Sequence, residues 1–469
     1  MRTVLLVAVL VVGAVAGGTS HGVAAQSSPP PDAVDSYVVE QGDICQPIEA
    51  LETDGTVGSL YDYRNHETHP DSDDNLYSSY GTQHLQADDT SILMLHEGTD
   101  GTSLVVVHDR LEGQTAGGMV SFDVVGVPPE ADWVVRDDAY EGETNMAEWY
   151  GGEGWLGASW IWADGRTDGG AINGGLSEEF ALTIHPGFNE HSAFHDNPDL
   201  HDPDWHDDGR IERWEVLSGD IEDPERTTLS LAEPVTIRTG TCDGPAVTYD
   251  RTADGISATI DRFDDAAGNG ANDSNSSPHS SDAVQFERLE LADVGPAEPI
   301  RADIDPVDDL PALPDDRDAL SSLAVDGAHG ASGTLSFSVD AVELEDATGK
   351  ESLEADDFVL YEADGDGWAE VSLEVYTAED GTLRFDATVA SVERLAVALA
   401  EPPDPPAQNA TTSSEPATER DTETTHSETD GSQQSVDADV LSIPAIAVVG
   451  VAVTVLCGLL WLYSSRHLE

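Results

Sequence analysis

Cysteine, lysine and positive charge are scarce in this sequence. Its three cysteines, Cys45, Cys242 and Cys457, leave no room for a four-cysteine zinc or iron–sulfur site. Lys350 is the only lysine, and 19 basic residues face 93 acidic ones, for a formal charge of -74. Such a chain repels nucleic acid and anionic membrane surfaces, which excludes ordinary nucleic-acid binding. A phosphate-loop fingerprint is missing as well, and with it one of the best-marked enzyme classes. Residues 45–243 also lack a helical apolar stripe of helix length.

What is present is a chain that can fold. Apolar residues make up 39% and fall in short runs able to fill a core, so acidity here does not mean disorder. The acid surplus runs evenly through those runs, a balance that fits work in high salt, where self-repulsion is screened. The expected source is a halophile.

The ends carry the longest apolar runs. Residues 1–25 read as a signal peptide: Arg2, an apolar stretch over 4–16, then Val23-Ala24-Ala25 as a small-x-small site. Residues 443–463 contain no charge and are long enough to cross a bilayer as a helix, with Trp461 and Tyr463 near the boundary. A short tail, 464–469, would be cytoplasmic. The expected layout is a single-pass type I cell-membrane protein with most of its chain extracellular. In an oxidising compartment Cys45 and Cys242 are expected to pair, while Cys457 lies within the apolar run.

Between the ends the reading is all-β. A flexible lead, 26–44, precedes a first domain, 45–243, which holds most of the tryptophans and histidines. There Ser91 to His96 and Ser103 to His108 form a hairpin around Asp100-Gly101. Further strands are expected near 119–125, 133–136, 155–162, 180–185, 211–217 and 235–239, so an antiparallel sandwich is the expected architecture. A second β domain spans 250–400. Ile256, Ala258 and Ile260 alternate with polar residues, and Val284, Phe286, Leu289 and Leu291 do so with one break in step. Trp368 after a glycine turn reads as a core plug. Residues 401–440, rich in Pro, Ser, Thr, Asp and Glu, form a disordered acidic stalk. Asn272, Asn275 and Asn409 begin glycosylation sequons.

Three stretches of the second domain go further. Thr334-Leu335-Ser336-Phe337-Ser338-Val339, Asp357-Phe358-Val359-Leu360-Tyr361-Glu362 and Gly367-Trp368-Ala369-Glu370-Val371 occur in the order seen in the PGF-pre-PGF module of archaeal surface proteins, which this part of the chain resembles. Arg394-Leu395-Ala396-Val397-Ala398 would supply the last strand. The Gly-Phe-Ser that usually precedes it is replaced by Val389-Ala390-Ser391. The resemblance covers at most about 150 residues; it implies an extracellular module without assigned catalytic residues.

Chemistry, if present, belongs to the first domain. His191 and His195, with His201 or His206, have the residue types of a transition-metal site, but Pro186, Gly187, Pro198 and Pro203 make this stretch a loop. Asp204, Asp208 and Glu215 occupy positions 1, 5 and 12 of a calcium-loop pattern, with Gly209 at the turn and His206 in place of an oxygen ligand. Trp155, Trp160 and Trp162 offer rings for stacking on a sugar, the alternative being that the strand face shared by Trp160 and Trp162 lines the core, and Glu148 with Glu153 could be nominated as an acid pair. Nothing marks that pair among so many acids. The function this supports is a non-catalytic surface protein with a structural, adhesive or ligand-capturing role, its partners envelope components or surface glycans. The alternatives are a surface hydrolase using 185–215 and a calcium-stabilised carbohydrate-binding module. Calcium is the one cofactor anticipated; the sequence carries no signal for oligomeric state.

Overall fold

A computed structural model describes residues 36–400, apart from 64–77, 139–146, 196–208, 264–282, 378–381 and isolated positions at 254, 296–297, 306, 308–309, 349, 351 and 366. The described chain is almost entirely β-sheet, in four sheets with a few short helical turns. The signal-peptide, stalk and apolar C-terminal segments fall outside the described residues, as do His201, His206, Asp204, Asp208, Asn272, Asn275 and Asn409. Among the described residues no helix is long and apolar enough to cross a membrane.

Fourteen strands make a first body: β1 (Tyr37–Gln41), β2 (Ile44–Ile48), β3 (Leu51–Glu52), β4 (Thr90–Gly98), β5 (Gly101–His108), β6 (Gly118–Val125), β7 (Asp132–Arg136), β8 (Ala147–Gly152), β9 (Trp155–Trp162), β10 (Asp168–Asn173), β11 (Ala181–Phe188), β12 (Arg213–Ser218), β13 (Glu225–Leu229) and β14 (Val235–Thr239). One sheet runs β2-β1-β14-β11-β6-β9-β8. The other runs β13-β12-β4-β5-β10-β7, with β3 added beside β4. Leu93, Leu95, Leu104 and Val106 from the second sheet share a core with Phe122, Trp160, Leu182 and Ile184 from the first.

Strand β4 is buried along seven consecutive residues because both its faces are covered. Leu93 and Leu95 face that shared core, while Ile92 and Met94 join a separate apolar layer with Val57, Tyr61, Leu85, Val105 and Val107. The outer layer comes from helix α1 (Val57–Tyr61) and the 3-10 turn Tyr80–Thr82. Two features depart from an all-antiparallel arrangement: β12 and β3 both pair with β4 in parallel. The β4–β5 hairpin is present, but its two loop residues are Thr99 and Asp100. Gly101 opens β5 at a φ of +89°, which suits glycine.

A second body follows: β15 (Ala246–Arg251), β16 (Ile256–Asp261), β17 (Val284–Ala292), β18 (Arg301–Asp305), β19 (Ala319–Asp326), β20 (Ser332–Val339), helix α2 (Ala341–Thr348), β21 (Phe358–Asp364), β22 (Gly367–Val371), β23 (Glu374–Thr377), β24 (Leu383–Val389) and β25 (Arg394–Leu399). Its sheets run β15-β16-β17-β20-β24-β23 and β18-β19-β25-β21-β22. Strand β16 alternates buried and half-buried positions, as its sequence predicts. Trp368 is a correction: it is half-buried on β22, the last strand of its sheet, so it covers the core rim and does not plug the centre.

Both bodies belong to one compact unit. Val125 and Ala181 of the first body enter the apolar core of the second. The Thr183 hydroxyl accepts from Tyr249 N at 2.9 Å, and the Thr236 hydroxyl donates to Val247 O at 3.0 Å. Glu40, buried on β1, is held by Arg238 of β14 and by Arg262 beyond β16, each at 3.0 Å. The disulfide joins Cys45 on β2 to Cys242, just past β14, with Cα atoms 5.7 Å apart.

Candidate metal centre

Beyond β7 the chain turns through Asp137 and Asp138. Asp137 N reaches Gly169 O at 3.4 Å, extending the β7–β10 ladder by a residue. Asp138 adopts a left-handed φ of 57°, which aspartate tolerates better than most residues. Asp168 opens β10, in register with His108 of β5. This pairing brings three carboxylates together: one oxygen from each of Asp137, Asp138 and Asp168 lies within 4.8 Å of the others. Gly169 lets β5 and Tyr61 come close beside the cluster. A Cβ there would stand 2.2 Å from Val106 O and 3.0 Å from the Tyr61 hydroxyl.

Asp137 and Asp168 are buried, and Asp138 is half-buried. Tyr61 donates its hydroxyl to Asp137 Oδ2 at 2.8 Å, and Asp138 N donates to the Tyr63 hydroxyl at 2.9 Å. Asp137 Oδ1 and both carboxylate oxygens of Asp168 have no hydrogen-bond partner among the described residues. An ionised buried carboxylate in that condition costs several kcal/mol. Burial, then the charge of Asp138, raises Asp137 well above the usual carboxylate range, against the opposing hydrogen bond from Tyr61. Burial, then Asp138 and Asp137, does the same to Asp168. Asp138 is pushed up to about 6 by burial, with Arg166 opposing. Tyr61 is raised as well, mainly by burial and then by Asp137, so its phenol stays a neutral donor.

Protons or a cation can relieve such a cluster. Its donors are all carboxylate oxygens, the set that suits hard divalent ions such as calcium or magnesium and not ions that favour imidazole or thiolate. The protein therefore holds a buried aspartate triad capable of coordinating a divalent cation.

The residues singled out from sequence lie elsewhere. His191 and His195 are exposed around a 3-10 turn (Asn189–His191), and the i, i+4 spacing gains nothing without a helix. Among the described residues, no metal-capable group contains a histidine. Glu215 sits within β12 and pairs with Arg226 at 2.8 Å, while Asp204 and Asp208 of the same calcium-loop pattern lie outside the described residues. Trp160 and Trp162 are corrected as sugar platforms. Both are buried in the inter-sheet core, with Trp160 Nε1 donating to Gly169 O and Trp162 Nε1 to Asp109 Oδ2, each at 3.1 Å. Trp155 is half-buried, and the Arg251 guanidinium covers its ring at 4.0 Å. Glu148 and Glu153 are exposed, with nothing to distinguish them. Ser91 and His108 do meet, Oγ to Nδ1 at 2.8 Å, but both are fully buried and Phe122, Trp160 and Trp162 pack around the imidazole.

No protein-family model and no curated protein matches the chain. The expectations of a transmembrane helix, a signal peptide and a halophilic archaeal surface protein gain no support from these comparisons and are not carried further; the two apolar terminal segments lie outside the described residues. No family model or curated protein supplies such a signature, and no helix among the described residues is long and apolar enough to cross a membrane.

Proposed function

We propose that the chain is a non-catalytic, cation-stabilised β module, with Asp137, Asp138 and Asp168 holding a calcium-type divalent ion. The observation that carries this reading is Asp168: fully buried, both oxygens unpaired among the described residues, and within coordinating distance of two other carboxylates. We read the sheet pairs as two sandwich-like domains, 37–239 and 246–399, because each pair supplies residues to a shared core; the buried strand β1 corrects the flexible lead expected over 26–44. The Cys45–Cys242 bridge supports an oxidising compartment. The resemblance of 334–398 to an extracellular β module agrees with that setting and rests on sequence alone. A surface-glycan ligand is the weaker part of the reading. Its best support is the half-buried Tyr150 and Trp155 pair, rings 6.0 Å apart beside Arg251.

Calcium titration followed by thermal unfolding tests the cation. Binding to the folded state alone stabilises by about 2.7 kcal/mol at a hundredfold excess over Kd. Asp168→Asn should abolish that gain while changing stability in chelator by no more than about 1 kcal/mol, since the replaced carboxyl carries a raised pKa. A calcium response that survives in Asp168→Asn would place the ion elsewhere.

A further inference from the structure

The layer outside the β4–β5–β10 sheet, residues 53–63 and 78–89, is tied down in an uneven way. Its start is anchored at the β4–β5 hairpin. The Thr53 hydroxyl meets His96 Nε2 at 2.7 Å, Thr99 N donates to Gly55 O, and Asp100 accepts from Val57 N at 3.1 Å. Its end is anchored separately. Arg226 donates to Leu85 O at 2.6 Å, and Leu111 N donates to Gln86 Oε1 at 2.8 Å. Several polar ties in between run to the aspartate cluster or the residue beside it. Tyr61 bonds Asp137, Tyr63 bonds Asp138 N, Ser78 Oγ donates to Thr167 O, and Ser79 N and Oγ each meet Thr167 Oγ1 at 3.1 Å.

We propose that a divalent cation at Asp137, Asp138 and Asp168 locks the middle of this layer onto the sheet. Losing the ion would release 58–63 and 78–82 while both anchored ends, Val57 included, stay in place. The cation fixes the carboxylates, and these fix the turn after β7 and the start of β10, where the middle ties end. Without it, nothing bridges the three carboxyl groups, and those attachment points are no longer held together. What lies beneath is apolar: Ile92, Met94, Val105, Val107, Val135 and Ala171. Cation loss would therefore uncover a hydrophobic face as well as loosen a segment. The proposal rests on the cation reading above.

Hydrogen exchange of the full chain, in calcium and in chelator, tests it. Calcium binding is measured in parallel by calorimetry. Chelation should speed exchange about tenfold or more in peptides from 58–63 and 78–82, leaving β17 and β20 peptides as controls. Tyr61→Phe keeps all three carboxylates; it should still bind calcium yet exchange faster than the wild type in these peptides even when saturated. Calcium binding with unchanged exchange on chelation would overturn the lock and leave the cation site standing. Failure of calcium and magnesium to bind at all would overturn the site and the lock together. Unaltered exchange in a Tyr61→Phe protein that binds calcium would overturn the Tyr61–Asp137 bond as the link that carries the lock.

Discussion

His108 illustrates how burial, more than sequence, sets a residue's chemistry. Phe122, Trp160 and Trp162 enclose the ring, and burial pushes its pKa down to about 3. In the unfolded chain the same imidazole protonates near its ordinary value, about 6.5. Between those limits the unfolded state binds the extra proton, so stability is lost as pH falls through that window. His108→Asn keeps a polar atom near Ser91 and removes the titration; it should be less stable at neutral pH but lose stability less steeply between pH 6.5 and 4. Urea midpoints across that range would test this, and an undiminished slope would assign the acid sensitivity to other groups. The same dependence on burial explains why the aspartate cluster was not legible. Asp137, Asp138 and Asp168 are three of 93 acids, and only strand pairing sets them apart. The period-two spacing of Trp160 and Trp162 did put them on one face, but spacing does not reveal whether that face meets solvent or a second sheet.

Among the elements, β17 was the most legible. The break in its apolar alternation between Phe286 and Leu289 is where the register with β20 shifts, between Phe286 and Arg288, as one extra residue bulges. The parallel pairing of β12 with β4 left no such trace, because a register between distant segments imposes no local pattern. The same holds for the clamp that joins β1, β14 and the end of β16. Glu40→Gln would leave two arginines facing a neutral amide, and breaking a buried ion pair this way typically costs about 3–5 kcal/mol. Urea denaturation should show that loss; a change below about 1 kcal/mol would mean water already screens the pairs. The disulfide was readable once Cys457 was set aside in the apolar C-terminal run and the other two cysteines were placed in an oxidising compartment. It closes a loop with a sequence separation of 197 residues, and replacing both cysteines by alanine should cost about 2–5 kcal/mol. Unfolding midpoints of the double variant measured without reductant would show whether the crosslink contributes that much.

At the scale of the whole molecule, a charge of -74 spread over many separated carboxylates opposes every compact state. Added salt shortens the screening length from about 10 Å at 0.1 M to about 3 Å at 1 M. The thermal midpoint should therefore rise between those concentrations of potassium chloride. A flat midpoint would mean that the acids are already neutralised locally, by bound cations or raised pKa values. The pairing of β1 with β14 also bears on how the protein is made. Tyr37 meets Thr239, so β1 has only β2 beside it until roughly two hundred further residues have been synthesised. At about 5–20 residues per second a ribosome needs on the order of 10–40 s for that stretch. Throughout that interval the nascent strand has an open hydrogen-bonding edge, and its survival depends on how quickly β14 arrives.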